Sequence, residues 1–328
     1  MSLALSIVIP VYNGASSIGT LVAALESLEV EGGHEIVLVN DCSPDDSLAV
    51  CRALLAQATL PMTLVNLSRN YGEHNAVLAG LRHASGRHVI TMDDDLQNPP
   101  SEVLRLLEFA QTTGAEVVYT HYAQKEHARW RNLGSRFTNR VADWLLDKPK
   151  GLYLSSFRCM TQFVAREIAR YEGPFPYVDG LILQVTQSLE RLEVQHLPRA
   201  HGGSNYTFRR LVRLWLNMFI NFSVMPLRLA TLGGFVLSAC GLLGPVWVVL
   251  EAVLEATPPG WASISVAVLL LSGVQLTMLG LIGEYLGRLY LTANRKPQSV
   301  VKDVTTSDAA AATPVVGDER RGARALRR

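Results

Sequence analysis

Apolar, β-branched runs alternate with helical stripes through the first ninety residues, and this alternation constrains the fold more than any other feature. Strands are expected over 6–11 (SIVIPV), 35–39 (EIVLV), 62–67 (MTLVNL) and 87–92 (RHVITM). Between the first two, a helix over 17–28 places Ile18, Leu21, Val22, Leu25 and Leu28 on one stripe. A second helix suits 45–56, and Gly72 and Asn75 open a third. Strands that alternate with helices imply a doubly wound, mostly parallel α/β sheet. Such sheets bind ligands beyond the carboxyl ends of their strands. Tyr12 and Asn13, Asp41, Arg69 and Asn70, and 93–97 all fall at such ends.

The fourth strand runs into VITMDDDLQNPP over 89–100, with Asp93, Asp94 and Asp95 consecutive. Alternation along an extended chain aims Asp93 and Asp95 at one spot and turns Asp94 the other way. Like charges so close repel unless a cation lies between them, and a hard divalent ion with oxygen ligands fits best. Gln97 offers a further carbonyl oxygen. An acidic turn is the plain alternative, since Asp and Asn favour loops and Pro-Pro ends elements. No G-x-G-x-x-G or G-x-x-x-x-G-K-[ST] follows the first strand, which argues against a dinucleotide oxidoreductase and a P-loop NTPase.

The net charge of +1 and the lack of a basic helix interleaved with aromatics leave no reason to expect nucleic acid. Cys42, Cys51, Cys159 and Cys240 form no C-x-x-C pair and read as free thiols in a reducing compartment. A basic n-region and cleavage site are lacking at the N-terminus, so the N-terminal part is expected in the cytoplasm.

A fifth strand is expected near 114–119 and a helix over about 129–146. On that helix Arg131, Ser135 and Asn139 recur every fourth residue and share a face, a fitting cradle for a phosphate or an ordinary solvated face. The segment Arg199 to Tyr206, with Gly202, Gly203 and Ser204, reads either as a mobile basic loop closing on a diphosphate or as a linker.

The hydrophobic share of 48% against 18% charged is not spread evenly. Residues 206–225 are amphipathic, as in a helix lying in a membrane interface. The stretches 229–250 and 263–283 carry no charge, and about 20 residues suffice to span a bilayer. Arg228 precedes the pair and Arg288, Arg295 and Lys296 follow it, which places both flanks in the cytoplasm. The expected organisation is therefore a cytoplasmic domain over 1–204, an amphipathic region over 205–228, two spans within 229–287, and a cytoplasmic tail over 288–328, disordered from about 305.

At this point the motifs IVIPVYN, VNDCSPDDS, SRNYGEHNAVLAG, MDDDLQNPP, RAHGGSNYTF and LIGEYLGRLY, with the Arg131-Ser135-Asn139 helix, resemble the polyprenyl-phosphate glycosyltransferases of glycosyltransferase family 2. The resemblance implies a GT-A type fold in a bacterial inner membrane and a Mg2+ or Mn2+ ion. On matching residues it implies that Asp93, Asp95 and Gln97 hold the metal. Pro10, Tyr12, Asn13, Asp41, Arg69 and Asp94 would form the donor pocket, with Arg199 and Ser204 over the donor diphosphate. Arg131, Ser135 and Asn139 would hold the lipid phosphate. The family usually has Asp-Asp-Gly where this chain has Asn40-Asp41-Cys42.

The implied reaction is inverting transfer of a sugar from a nucleotide-sugar, UDP-glucose by analogy, to undecaprenyl phosphate. A phosphate monoester, largely dianionic at neutral pH, is already a nucleophile. Asp95 and Arg199 would then stabilise the departing diphosphate, and Asp179 could assist as a base. A processive polysaccharide synthase and a non-catalytic membrane scaffold are the competing readings, and homo-oligomers are plausible with so small an anchor.

Overall fold

The computed structural model describes residues 3–122, 152–173, 175–195, 260–293, 297–307 and 309. The expected helix over 129–146, the phosphate cradle, the loop with Arg199 and Ser204, the amphipathic segment and the first apolar stretch lie outside these residues.

In chain order the described elements are β1 (Leu5–Val11), α1 (Ile18–Glu26), β2 (His34–Asn40), α2 (Ser47–Gln57), β3 (Met62–Leu67), α3 (Glu73–Leu81), β4 (His88–Thr91), α4 (Ser101–Thr113) and β5 (Val117–Tyr122). There follow β6 (Arg158–Thr161), α5 (Gln162–Ala169), α6 (Val178–Val185), β7 (Leu189–Val194), α7 (Trp261–Ala293) and β8 (Val301–Thr306). The strands form one sheet in the order β7-β5-β6-β4-β1-β2-β3-β8. Its centre, β4-β1-β2-β3, is parallel throughout, and β5 and β7 are parallel to one another. Two strands run against this direction: β6, inserted between β4 and β5, and β8 at the edge beside β3.

The two faces of the central strands differ in side-chain size. Ile7, Ile9, Ile36 and Leu38 pack with Leu21, Leu25, Cys51, Leu55 and Leu106 from α1, α2 and α4. Val8, Val37 and Val39 face Ala76, Ala79 and Leu78 of α3 on the other side. The smaller residues let α3 lie close to the sheet. A β-carbon on Gly80 would come within 2.8 Å of Val39 Cγ2 and nearer still to Val8. A larger residue there would push α3 off the sheet and expose part of the core.

Within the expected cytoplasmic tail, residues 297–307 form a strap along the edge of the sheet that includes β8. Ser68 N donates to Val300 O at 2.9 Å, and Ser307 N to Met62 O at 2.9 Å. Gln298 accepts from Arg82 and donates to the Gly173 carbonyl. Thr305 and Thr306, placed by the sequence reading at the start of a disordered tail, belong to this strand. The strand was missed because VVKDVTT is short and follows the apolar helix, where nothing local tells that β3 lacks an outer partner.

Helix α7 takes in the uncharged stretch 263–283, and Ile264, Val268, Leu271, Leu279, Ile282, Leu286 and Leu289 are all exposed on it. No helix, over the residues described, is long and apolar enough to cross a membrane. The expected two-span hairpin is therefore not shown.

Candidate active site

Four loops meet at the carboxyl ends of β1, β2, β3 and β4, and their backbone departs from the common regions there. Asn13 (φ 57°), Cys42 (φ 51°) and Leu96 (φ 60°) all adopt left-handed conformations, following β1, β2 and β4 respectively. Such geometry costs a non-glycine residue on the order of 1–3 kcal/mol and persists where surrounding contacts over-determine it. Those contacts are visible. Asn13 N donates to Ser43 Oγ, Ser43 Oγ donates to Val11 O, and Gly14 N donates to Ser47 Oγ at 3.0 Å.

The three aspartates lie beyond the end of β4 and each has a different partner. Asp93 accepts from Ser156 Oγ at 2.7 Å, on the β6 side. Asp94 turns the other way and accepts from Tyr12 N at 3.3 Å. Asp95 accepts from Gln97 N at 3.2 Å. Burial raises the Asp93 carboxyl above its ordinary range, and the charges of Glu73 and Asp95 push it further, while Ser156 and Arg158 oppose them. Burial, then Asp93 and Asp95, lifts Asp94 to about 7 against the hydrogen bond from Tyr12. The half-buried Asp93, Asp94 and Asp95, with the exposed Glu73 near them, form an acidic cluster whose oxygens suit a hard divalent cation. Sequence reading missed Glu73. Its position after β3, opening α3, puts it at a strand's carboxyl end like the others, and that was the available signal.

Asp41, expected in the nucleotide pocket, is 3% exposed and spans the gap to the next loop. Its two oxygens accept from Tyr71 N at 2.7 Å and Gly72 N at 2.8 Å. Gly72, at φ 90°, turns its N–H into that bond and starts α3. Burial raises the Asp41 carboxyl and the two amides hold it down. Arg69 is exposed and lies over the Tyr71 ring, 4.6 Å from its centroid. Pro10 sits in β1, and Tyr12 is 44% exposed at the rim.

Asp179, considered as a base, occurs in the first turn of α6 and is engaged. Arg158 Nη1 donates to it in a buried ion pair, and Tyr119 Oη donates at 3.1 Å. Burial works against the Arg158 charge, and Asp179 overrides it and keeps the guanidinium protonated. His74 lies near this pair, edge-on to Tyr177 at 5.1 Å, and burial holds its imidazole down to about 4. Among the described residues no three His, Cys, Asp or Glu side chains could hold a metal by themselves. Arg131, Ser135, Asn139, Arg199 and Ser204 lie outside the described residues.

The family model "Glycosyl transferase family 2" matches residues 6–169. Curated relatives named undecaprenyl-phosphate 4-deoxy-4-formamido-L-arabinose transferase align over almost the whole chain. The one from Pseudomonas syringae pv. syringae is 32% identical, covering 94% of this chain and 93% of its own. That from Pseudomonas aeruginosa (strain LESB58) is 33% identical, covering 91% and 89%. Among solved structures, glucosyl-3-phosphoglycerate synthase from Mycobacterium tuberculosis, crystallised with Mn2+, UDP and glucosyl-3-phosphoglycerate, is 17% identical. It covers 66% of this chain and 78% of its own at a TM-score of 0.49. The family match and the near full-length relatives together place the chain among the polyprenyl-phosphate glycosyltransferases of glycosyltransferase family 2.

Proposed function

We propose that the protein transfers a sugar from a UDP-sugar to undecaprenyl phosphate at the cytoplasmic face of a bacterial inner membrane, with inversion at the anomeric carbon. The observation that supports this most is the acidic cluster of Asp93, Asp95 and Glu73 at the carboxyl ends of parallel strands, in a chain whose near full-length relatives are named as undecaprenyl-phosphate transferases.

Asp93 and Asp95 would hold a Mg2+ or Mn2+ ion, with Gln97 beside them. Two protein carboxylates leave the remaining positions for a diphosphate and water, the usual division of ligands around Mg2+ at phosphate-bearing substrates. Once bound, the cation supplies charge stabilisation for the departing nucleoside diphosphate. The left-handed loops at Asn13 and Cys42, with Pro10, Tyr12 and Arg69, would form the walls for the nucleotide, and Asp41 would brace the loop that carries Arg69. Arg199 and Ser204 are proposed over the diphosphate, and Arg131, Ser135 and Asn139 at the lipid phosphate. The acceptor needs no strong base because its phosphate is already anionic. Asp179, committed to Arg158 and Tyr119, then keeps the floor of the site in place.

The domain division proposed is a catalytic unit over 1–204, an interfacial region over 205–228 and a hairpin over 229–250 and 263–283, with both termini on the cytoplasmic side. Support comes from α7: apolar residues line its exposed surface, and from Ala293 the chain returns to the catalytic sheet by Val301. The C-terminal end of that helix is thereby tethered on the catalytic side, which agrees with Arg288, Arg295 and Lys296 nearby. Homo-oligomers would enlarge the anchor.

Membranes carrying the protein, incubated with radiolabelled UDP-glucose or with the UDP derivative of 4-deoxy-4-formamido-L-arabinose and undecaprenyl phosphate, test the proposal. Metal-dependent label of one added lipid per sugar in the chloroform phase is expected. Label in a long polymer would favour the processive synthase, and no label from any UDP-sugar in the panel would remove the transferase reading.

A further inference from the structure

A row of polar side chains crosses the sheet near the carboxyl ends of β3, β2 and β1, starting at the strap. Asn66 Nδ2 donates to Asp303 Oδ2 at 2.8 Å. Asn40 Nδ2 donates to Asn66 Oδ1 at 2.9 Å. Ser43 N donates to Asn40 Oδ1 at 3.3 Å, and Ser43 Oγ in turn bonds Val11 O and Asn13 N. Asn40 and Asn66 are 1% and 3% exposed, so neither amide can exchange these partners for bulk water.

The order of donors along this row is set from both ends, because Ser43 N only donates and the Asp303 carboxylate only accepts. A carboxylate only accepts, whereas an amide has a donating and an accepting end that a half-turn exchanges. Asp303 therefore draws Asn66 Nδ2 outward and leaves Oδ1 facing Asn40. Asn40 must then present Nδ2 to Asn66 and Oδ1 to Ser43. Without the carboxylate the Asn66 amide loses the acceptor of its buried Nδ2, and a buried donor left unmatched costs about 1–3 kcal/mol.

We infer that Asp303, in the strand that follows the apolar helix, is a positioning residue for the nucleotide pocket: through Asn66 and Asn40 it sets the loop of Asp41, Cys42 and Ser43 and, through Ser43, the Asn13 turn. This rests on the reading of that pocket as the UDP site. It also accounts for Asn40 where the family usually has Asp. An acceptor-only residue at 40 would face Asn66 Oδ1, acceptor against acceptor, as long as Asp303 holds Asn66 in its present orientation.

The test is hydrogen exchange and UDP binding with the full-length, detergent-solubilised protein. Asp303→Ala and Asn40→Asp are each expected to speed exchange over 11–14 and 40–43 and to weaken UDP binding about tenfold, which corresponds to about 1.4 kcal/mol. The double variant Asn40→Asp/Asp303→Asn reverses the two bonds that Asn66 makes, keeps Ser43 N donating to residue 40, and is expected to restore both. Arg52→Ala, which removes only the 3.7 Å surface ion pair to Asp303, is expected to change neither. Unchanged exchange over 40–43 in Asp303→Ala, or no recovery in the double variant, would overturn the inference. Exchange behaving as described in a protein that binds no UDP would uphold the coupling and count against the nucleotide reading instead.

Discussion

The carboxylate of Asp94 occupies the space that a side chain on Gly14 would need: a β-carbon built there falls far inside van der Waals contact with Asp94 Oδ2 and 3.2 Å from Val11 Cγ1. The close approach lets Asp94 accept from Tyr12 N and ties the acidic loop after β4 to the turn after β1. Gly14→Ala is therefore expected to push the two loops apart and lower transfer at least tenfold. The fold should survive, because the displaced groups lie at the sheet's rim. Circular dichroism with a donor titration checks this, and a variant of wild-type affinity would contradict it.

Arg158 and Asp179 are 2% and 6% exposed, and removal of one partner from a buried pair leaves an uncompensated charge costing about 3–5 kcal/mol. Arg158→Met is expected to lower the unfolding midpoint by many degrees. The double variant Arg158→Met/Asp179→Leu should recover much of that loss, since well-packed apolar replacements of such pairs are often neutral. Asp179→Asn separates the roles assigned to this residue. As a brace it should lose stability and keep much of its kcat at low temperature. Full stability with transfer abolished would instead mark it as the base.

His34 is 7% exposed and its Nε2 bonds Leu25 O at 3.0 Å. Burial lowers its pKa below 6.5, with the Leu25 bond and Glu26 opposing. A histidine with a depressed folded-state pKa contributes stability that is present above the unfolded value and lost as pH falls through the folded one. A non-titrating His34→Gln variant lacks that loss. The gap in unfolding midpoint between wild type and this variant is expected to narrow from pH 7.5 to pH 5. A constant gap would show that His34 does not change charge on unfolding.

Much of the centre was legible because its rules are local. Periodicity located β1 to β4 and the first three helices within a few residues. The edges were not legible, for a physical reason. β6, β7 and β8 pair with strands far off in the chain, which no local pattern shows; Arg158 reads as an ordinary basic residue until Asp179 and Tyr119 close around it. Asp41 shows the same limit within the site. Its position at the end of β2 was visible, but its engagement with Tyr71 and Gly72 depends on a turn thirty residues away.

Cys42 offers a probe of the pocket. Its thiol is exposed, whereas Cys51 and Cys159 are buried and burial raises the pKa of both, Cys51 to about 12. Thiolate is the reactive form, so iodoacetamide should modify Cys42 well ahead of those two at pH 7.5. Peptide mass spectrometry reads each site separately. If the turn after β2 walls the nucleotide, UDP with Mn2+ should slow Cys42 labelling severalfold, and the metal alone should not. The backbone at Cys42, at φ 51°, adds an independent expectation. Glycine occupies the left-handed region without steric cost, whereas other L-residues lose roughly 1–2 kcal/mol there. Glycine also has more freedom to lose on folding, which offsets part of the gain. Cys42→Gly should therefore raise the unfolding midpoint by a few degrees and leave UDP affinity within about threefold of wild type, a difference of roughly 0.7 kcal/mol. A fall in stability would mean that the thiol makes contacts worth more than the strain it imposes.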